Sequence, residues 1–96
     1  MIRAVLSRHA RADLDGIWRY TVRQWDRGQA VRYTRAIQAA IDVIAAEPQR
    51  GRPCDEIAPG YRRYRTGSHL LFYRVAGNEV RVIRILHESM DLERHL

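Results

Sequence analysis

Residues 61–87 read YRRYRTGSHLLFYRVAGNEVRVIRILH, a succession of three segments rich in aromatic, β-branched and other apolar residues. Gly67 divides the first segment from the second, and Ala76-Gly77-Asn78 divides the second from the third. A short spacer that contains glycine is typical of the turn between two antiparallel strands. The stretch therefore predicts a three-stranded antiparallel meander, with strands at residues 61–66, 68–75 and 79–87.

The last of these strands, EVRVIRILH, is apolar on both of its faces. Side chains alternate between the two faces of a strand. Val80, Val82 and Leu86 are therefore expected on one side of the sheet. Ile83 and Ile85 are expected on the other side. A strand of this kind is usually central in its sheet, with cover above and below.

A short strand and two helices are predicted upstream of the meander. Residues 2–7 alternate in polarity as a strand does. Apolar residues then recur every three or four positions, which predicts amphipathic helices from Arg8 to about Asp26 and from about Gln29 to Glu47. Gly28 is the expected C-terminal cap of the first helix, and Pro48 ends the second. Helices joined by so short a turn form an antiparallel hairpin.

The predicted order of elements is β-α-α-β-β-β, within one domain that covers residues 1–96. This order indicates an α+β fold, a small and mostly antiparallel sheet with a helical hairpin packed on one face. The loop at residues 49–60, QRGRPCDEIAPG, is long for so small a domain. Because one hairpin covers one face only, we expect the opposite apolar face to be uncovered and to bind a partner.

The charge of the chain points to a macromolecular partner. It has 17 lysine and arginine residues, all of them arginine, against 11 acidic residues, for a net charge of +6. A surface of this charge attracts polyanions such as nucleic acid or an acidic protein. The guanidinium group is a planar fork that suits phosphate and carboxylate groups.

The sequence shows no sign of a metal, a cofactor or a membrane span. Cys54 is the only cysteine, so the chain can form neither an internal disulfide nor a cysteine-based zinc cluster. The histidines have no metal-ligand spacing, and there is no glycine-rich phosphate loop. No apolar run is long enough to cross a membrane, and the N-terminus has no signal-peptide core. We therefore expect a cytoplasmic protein without metal or cofactor.

Several short motifs follow one another at spacings that resemble a known family. They are, in chain order, Ala12-Asp13-Leu14 with Ile17 and Tyr20, then Ala30 with Tyr33, Glu47-Pro48 with Gly51, the run YRRYRTGSHLLFYRV, and the ending VRVIRILHESMDLERHL. Together these motifs, which extend over nearly the whole chain, resemble the ParE/RelE toxins of type II toxin–antitoxin systems. The ending is most similar to the ParE branch.

The resemblance implies a toxin that binds its target and is not an enzyme. ParE-like toxins are associated with inhibition of DNA gyrase, and an acidic ParD-like antitoxin neutralises them by folding onto them in a hetero-oligomeric complex. The residues that we expect to contact the antitoxin are Arg63, Arg65, Leu70, Phe72, Val80 and Val82. Those that we expect to contact the target are Arg81, Arg84, His87, Met90 and Arg94.

Two other functions stay open on the sequence. A RelE-like toxin cleaves mRNA on the ribosome, and here Arg65, Arg81 and His87 would bind phosphate and transfer protons. Arg81 and His87 are expected on one face by the two-residue period of a strand. The sequence lacks the catalytic lysines of RelE-like enzymes and a well-placed tyrosine near the C-terminus. A non-toxic nucleic-acid-binding module would instead stack bases on Tyr61 and Tyr64, which lie among arginines.

Overall fold

The computed structural model describes residues 2–96, without the side chain of Glu93. The α-helices are α1 (Arg8–Gln24), α2 (Arg27–Ala46) and α3 (Leu92–His95). The strands are β1 (Arg3–Leu6), β2 (Arg52–Pro53), β3 (Arg62–Thr66), β4 (His69–Ala76) and β5 (Glu79–His87). A turn of 3-10 helix at Pro48–Arg50 follows α2.

The five strands form one sheet in the order β1-β5-β4-β3-β2. β1 runs parallel to β5, whereas all other neighbours are antiparallel. The predicted α+β fold with a mostly antiparallel sheet is confirmed. β5 lies between two strands, since it pairs with β4 along its length and with β1 over residues 79–82, in keeping with its apolar sequence. The two-residue strand β2 lies within the segment that was predicted as a loop.

The junction between the two long helices is set by Asp26 and not by Gly28. α1 ends at Gln24, and the Asp26 carboxylate then accepts a hydrogen bond from the Gln29 N–H at 2.7 Å, which caps the N-terminus of α2. Gly28 lies inside the first turn of α2, and its φ is not positive. The prediction that Gly28 caps α1 is therefore wrong, because the Asp26 side chain starts the next helix before the glycine is reached.

The two long helices bury one face of the sheet against a core that we call the helix-face core. Its members are Ala10, Ile17, Ile37, Ala40, Ile41 and Ile44 from the helices and Leu71, Tyr73, Val80, Val82 and Ile85 from the strands. None of them is more than 8% exposed. Full burial of an isoleucine or valine side chain stabilises a fold by about 1.5–3 kcal/mol, so this core is the main source of stability. Within residues 2–96, no helix has both the length and the apolar content that crossing a membrane requires.

A β-bulge in β5 changes which of its side chains face the helices. Val82 and Arg84 pair with consecutive residues of β4, so Ile83 between them is an extra residue. The Ser7 hydroxyl donates a hydrogen bond to the Ile83 carbonyl oxygen at 2.6 Å, which ties the bulge to the start of α1. Side-chain alternation is inverted beyond this point. The prediction that Leu86 lies on the same side as Val82 is therefore wrong.

The sheet face opposite the helices is covered, contrary to the expectation of an open apolar face. Its buried residues are Cys54, Leu70, Phe72 and Leu86. The side chains packed on them are Ile57 and Tyr61 from the loop before β3, and Leu92 and Leu96 from the C-terminal segment. The prediction failed because it counted only the helical hairpin as cover, whereas a loop and a single helical turn supply the apolar side chains.

Candidate functional site

Six arginines occupy strand positions on the sheet face opposite α1 and α2, and together they form what we call the arginine face, although the Arg84 side chain reaches back to Asp13 of α1. The register of the strands places them there. Arg63 pairs with Phe72, for example, whose side chain lies in the cluster away from the helices. The six are Arg52, Arg63, Arg65, Arg74, Arg81 and Arg84. Six of the 17 arginines of the chain therefore belong to this one face of the sheet.

Two of these arginines form exposed ion pairs. The hydrogen bond from Arg65 and its positive charge lower the pKa of the Glu88 carboxyl. Arg81 Nε lies 3.1 Å from Glu79 Oε1. Because water and salt screen exposed pairs, these contacts orient the side chains more than they stabilise the fold. Among the side chains that the structure describes, Arg52 takes part in no ion pair.

Arg84 is held in a partly buried clasp that joins α1 to β5. Its Nε and Nη2 donate hydrogen bonds to the two carboxylate oxygens of Asp13, at 2.8 and 2.9 Å. The backbone N–H of Ile85 donates to the same carboxylate at 2.9 Å. The Asp13 hydrogen bond raises the pKa of Arg84. Arg84 Nη1 also donates to the carbonyl oxygen of His95 in α3 at 3.1 Å. Arg84, which we predicted to contact the target, therefore holds α1, β5 and α3 together, a role that its position in the sequence did not reveal.

The residues of the nuclease hypothesis do not come together. His87 pairs with His69 on the helix side of the sheet, whereas Arg81 alternates with Val80 and Val82 and faces the other way. The bulge at Ile83 separates them, so the prediction that Arg81 and His87 share one face is wrong. Six residues of extended strand also place them roughly 18 Å apart. A single phosphodiester cannot contact both side chains at that separation.

His87 belongs to a small polar cluster with two other ring side chains. The His69 and His87 rings meet edge to face, with centroids 5.2 Å apart. The Tyr33 hydroxyl accepts a hydrogen bond from the Ser68 N–H at 3.0 Å and lies 2.6 Å from His69 Nδ1, so the hydroxyl can donate to that nitrogen. Burial lowers the pKa of His69, and the charge of His87 lowers it further. A Cβ on Gly67 would lie 2.8 Å from the Tyr33 ring, which explains a glycine at this turn.

A cleft of about 530 Å³, which we call the α1 cleft, lies between α1, the ends of β4 and β5, and the segment after β5. Its apolar walls include Ile17 and Ile85. Tyr20 and Met90 also line it and are 57% and 45% exposed, which is unusual for large apolar side chains. Gly16 lies in its wall, and a Cβ there would touch nothing within 4 Å. The cleft therefore offers an open apolar surface for an external partner.

The predicted target contacts fall in separate places. His87 and Met90 line the α1 cleft, and Arg94 is exposed on α3. Arg81 is exposed near the opposite end of β5, and Arg84 is engaged with α1. Of these five residues, His87 and Met90 are the two that line the α1 cleft. Tyr20 and Gly16 complete that surface. The apolar stripe of α1 gave no sign that either residue lines a binding surface.

The predicted antitoxin contacts are also divided by the structure. Arg63 and Arg65 lie on the arginine face beside a second cleft. Leu70 and Phe72 lie beneath them, 8% and 0% exposed, under the loop and the C-terminal segment. Val80 and Val82 are fully buried in the helix-face core. The expectation that these two valines are accessible is wrong, because both point toward α1 and α2.

Metal-binding and nucleophilic groups are scarce in the described part of the chain. No three of its His, Cys, Asp and Glu side chains are grouped so that they could hold a metal ion. Cys54 is fully buried, and burial raises the pKa of its thiol. A raised pKa disfavours the reactive thiolate at neutral pH.

Comparison with known proteins gives a consistent result over nearly the whole chain. Residues 4–92 match the model of the family described as the ParE toxin of the type II toxin–antitoxin system parDE. The chain is 50% identical to Toxin ParE1 of Mycobacterium tuberculosis over 98% of its length and 97% of that protein. It is also 50% identical to Toxin ParE1 of Caulobacter vibrioides, over 95% and 94% of the two chains.

A solved structure described as the chromosomal ParDE TA system from P. aeruginosa has the same fold. The two chains superpose with a TM-score of 0.81 at 25% identity, over 91% of this chain and 96% of the other. The order of strands, the helical hairpin and the family match all agree. The chain belongs to the ParE toxin family of type II toxin–antitoxin systems.

Proposed function

We propose that this chain stops bacterial growth by binding and inhibiting DNA gyrase in the cytoplasm, without cleaving RNA. An acidic ParD-like antitoxin neutralises it in a hetero-oligomeric complex. The observation that carries the proposal is the ParE family match over residues 4–92, together with 50% identity to two ParE1 toxins. Inhibition of gyrase is the activity with which toxins resembling ParE are associated.

The geometry of the polar side chains favours binding over catalysis. Arg81 and His87 lie on opposite faces of the sheet, and Arg65 is engaged by Glu88. Acid–base cleavage of RNA needs its groups within hydrogen-bond reach of one phosphate and one ribose hydroxyl. The dispersal of these three residues therefore supports an inhibitor that is not an enzyme.

The α1 cleft is the surface that we assign to the target. Tyr20 and Met90 are exposed there beside an open stretch of helix backbone at Gly16. Aromatic and methionine side chains are enriched at protein interfaces, where a few of them supply most of the binding energy. A protein target such as gyrase suits this surface better than a nucleic acid, because the cleft walls are mainly apolar.

Two exposed apolar residues give a matched test of this assignment. Met90 in the α1 cleft and Val75 at the far end of β4 are 45% and 46% exposed. We expect Met90→Ala to weaken growth inhibition about tenfold and Val75→Ala to change it less than about twofold, because a central interface residue contributes about 1–2 kcal/mol. Dose–response curves of growth against inducer would measure both. Equal effects of the two variants would remove the cleft from the mechanism.

Pulse labelling of induced cells tests the nature of the target. If gyrase is inhibited, incorporation of labelled thymidine falls before incorporation of labelled amino acids, and messenger RNA stays intact. If the toxin acts as a RelE-like nuclease, protein synthesis falls first and mapped transcripts show cuts within codons. The second outcome would replace the proposed function.

A further inference from the structure

We propose that Arg52, Arg63 and Arg65 form a carboxylate-binding pocket that receives acidic side chains of the antitoxin. The inference rests on the proposed neutralisation by an acidic partner, and it goes further by naming the place and the chemistry of the contact. The three arginines line a second cleft, of about 390 Å³, on the arginine face. Leu70 and Leu92 complete its walls.

The strand register aims the three guanidinium groups into one region. Arg52 of β2 pairs directly with Arg63 of β3, so the two side chains stand next to each other on the same face. Arg65 follows Arg63 by two residues, which returns it to that face. Like charges placed directly opposite each other on neighbouring strands are destabilising. An anion between them would remove this repulsion.

The chain itself already places a carboxylate in this cleft. Glu88 lines it and is hydrogen-bonded to Arg65. Leu92, four residues further along the chain, packs on the apolar cluster beneath. A glutamate followed four residues later by a leucine is thus a pattern that the cleft accommodates. The Glu88 pair is exposed, so an incoming carboxylate can compete with it at low cost.

The surroundings favour an acidic peptide over a nucleic acid. Binding of single-stranded nucleic acid requires aromatic faces on which bases can stack. Tyr61 packs against the buried cluster around Phe72, and Tyr64 packs against the helix-face core on the other side of the sheet. Neither ring is therefore available for bases to stack on. A cleft with basic walls and a leucine floor matches a segment that carries both carboxylates and apolar side chains.

Fluorescence anisotropy with a labelled peptide of alternating glutamate and leucine pairs tests the pocket on the full chain. We expect Arg63→Gln and Arg52→Gln each to weaken peptide binding about tenfold, since each removes a charge from a converging set. Glu88→Gln should strengthen binding about threefold because it removes the internal competitor. Arg35→Gln, an exposed arginine on α2, is the matched control and should change the affinity less than about twofold.

Two outcomes would overturn the proposal. If Arg35→Gln weakens binding as much as Arg63→Gln does, the attraction is due to net charge and not to a pocket. If an oligothymidylate of equal charge binds more tightly than the peptide and depends on the same arginines, the site is for nucleic acid. The gain in peptide affinity expected for Glu88→Gln serves as a control for misfolding, because a damaged fold would not improve binding.

The assay contains no gyrase, so its failure is distinct from failure of the proposed function. Arg63→Gln should leave inhibition of growth intact, because Arg63 lies on the face away from the α1 cleft. A variant that stays toxic yet binds acidic peptide poorly would support the pocket and its separation from the toxic surface.

Discussion

The two faces of the sheet differ in how they are built. The helix-face core is closed by two long helices and contains only apolar side chains and the anchored Tyr73. The opposite face has four buried residues under a loop and one turn of helix, and it is surrounded by arginines. Disturbing the helix packing lowers the free energy of unfolding by a large amount, whereas disturbing a thin cover or an exposed ion pair lowers it by little. The difference indicates that the helix face supplies most of the stability, and the other face carries the pocket that we propose for an acidic partner.

The largest effect is expected from a cavity on the helix face. Ile37 is fully buried between α2 and the sheet. Ile37→Ala should lower the free energy of unfolding by about 3–4 kcal/mol, from lost burial and the cavity left behind. Leu92→Ala, on the cover of the opposite face, should lower it by only about 1 kcal/mol because the side chain is only partly buried. Urea denaturation measures both values. Similar losses would show that the two faces contribute equally.

A smaller loss of stability is expected where Tyr73 of the helix-face core anchors the segment that follows α2. The Tyr73 hydroxyl accepts a hydrogen bond from the Gly51 N–H at 2.8 Å and donates to the Pro48 carbonyl oxygen. Tyr73→Phe leaves both backbone groups without this partner and should lower the free energy of unfolding by about 2 kcal/mol. Thermal unfolding would detect the change, and Tyr20→Phe on the exposed surface of α1 is the control. An unchanged melting temperature for Tyr73→Phe would contradict the anchoring role.

The clasp between α1 and β5 has a matched control two residues away. Asp13 accepts three hydrogen bonds from Arg84 and Ile85, whereas Asp15 on the same helix is exposed. Asp13→Asn should lower the free energy of unfolding by about 2 kcal/mol, since it leaves a partly buried arginine without its charge partner. Asp15→Asn should change it by less than about 0.5 kcal/mol. Chemical denaturation of the two variants measures both changes. Equal losses would show that the clasp does not stabilise the fold.

The smallest expected effect is a dependence of the free energy of unfolding on pH, which arises from His69 at the α1 cleft. Burial and the neighbouring His87 lower the pKa of His69 below its ordinary value near 6.5. The unfolded chain therefore takes up a proton at a higher pH than the folded protein does. Stability should fall as the pH drops through the ordinary histidine range toward the folded pKa. Urea midpoints between neutral and mildly acidic pH would show this slope, and His69→Asn should flatten it.

The elements that the sequence predicted are those with a strong local signal. The periodicity of Leu14, Ile17 and Ile37 marked the helices, and the turn at Gly77 marked the last hairpin. Local pattern was therefore sufficient for the fold class. Membership of the ParE family was expected from the resemblance of the motifs, and the family match over residues 4–92 shows it.

The features that escaped prediction depend on contacts between residues far apart in the chain. The bulge at Ile83 requires the Ser7 hydroxyl, and the Arg84 clasp requires Asp13, both more than 70 positions away. One extra residue in a strand reverses the direction of every side chain after it, so the assignments at Leu86 and His87 failed together. The cover over Phe72 was missed because it comes from irregular segments without periodicity.

Supercoiling of relaxed plasmid by purified gyrase is the most direct test of the proposed toxin activity. We expect the wild-type chain to inhibit supercoiling at a concentration that leaves mRNA in a translation reaction uncut, and Met90→Ala to inhibit it about tenfold less well. Full supercoiling at every toxin concentration, together with cleavage of mRNA on the ribosome, would contradict this expectation.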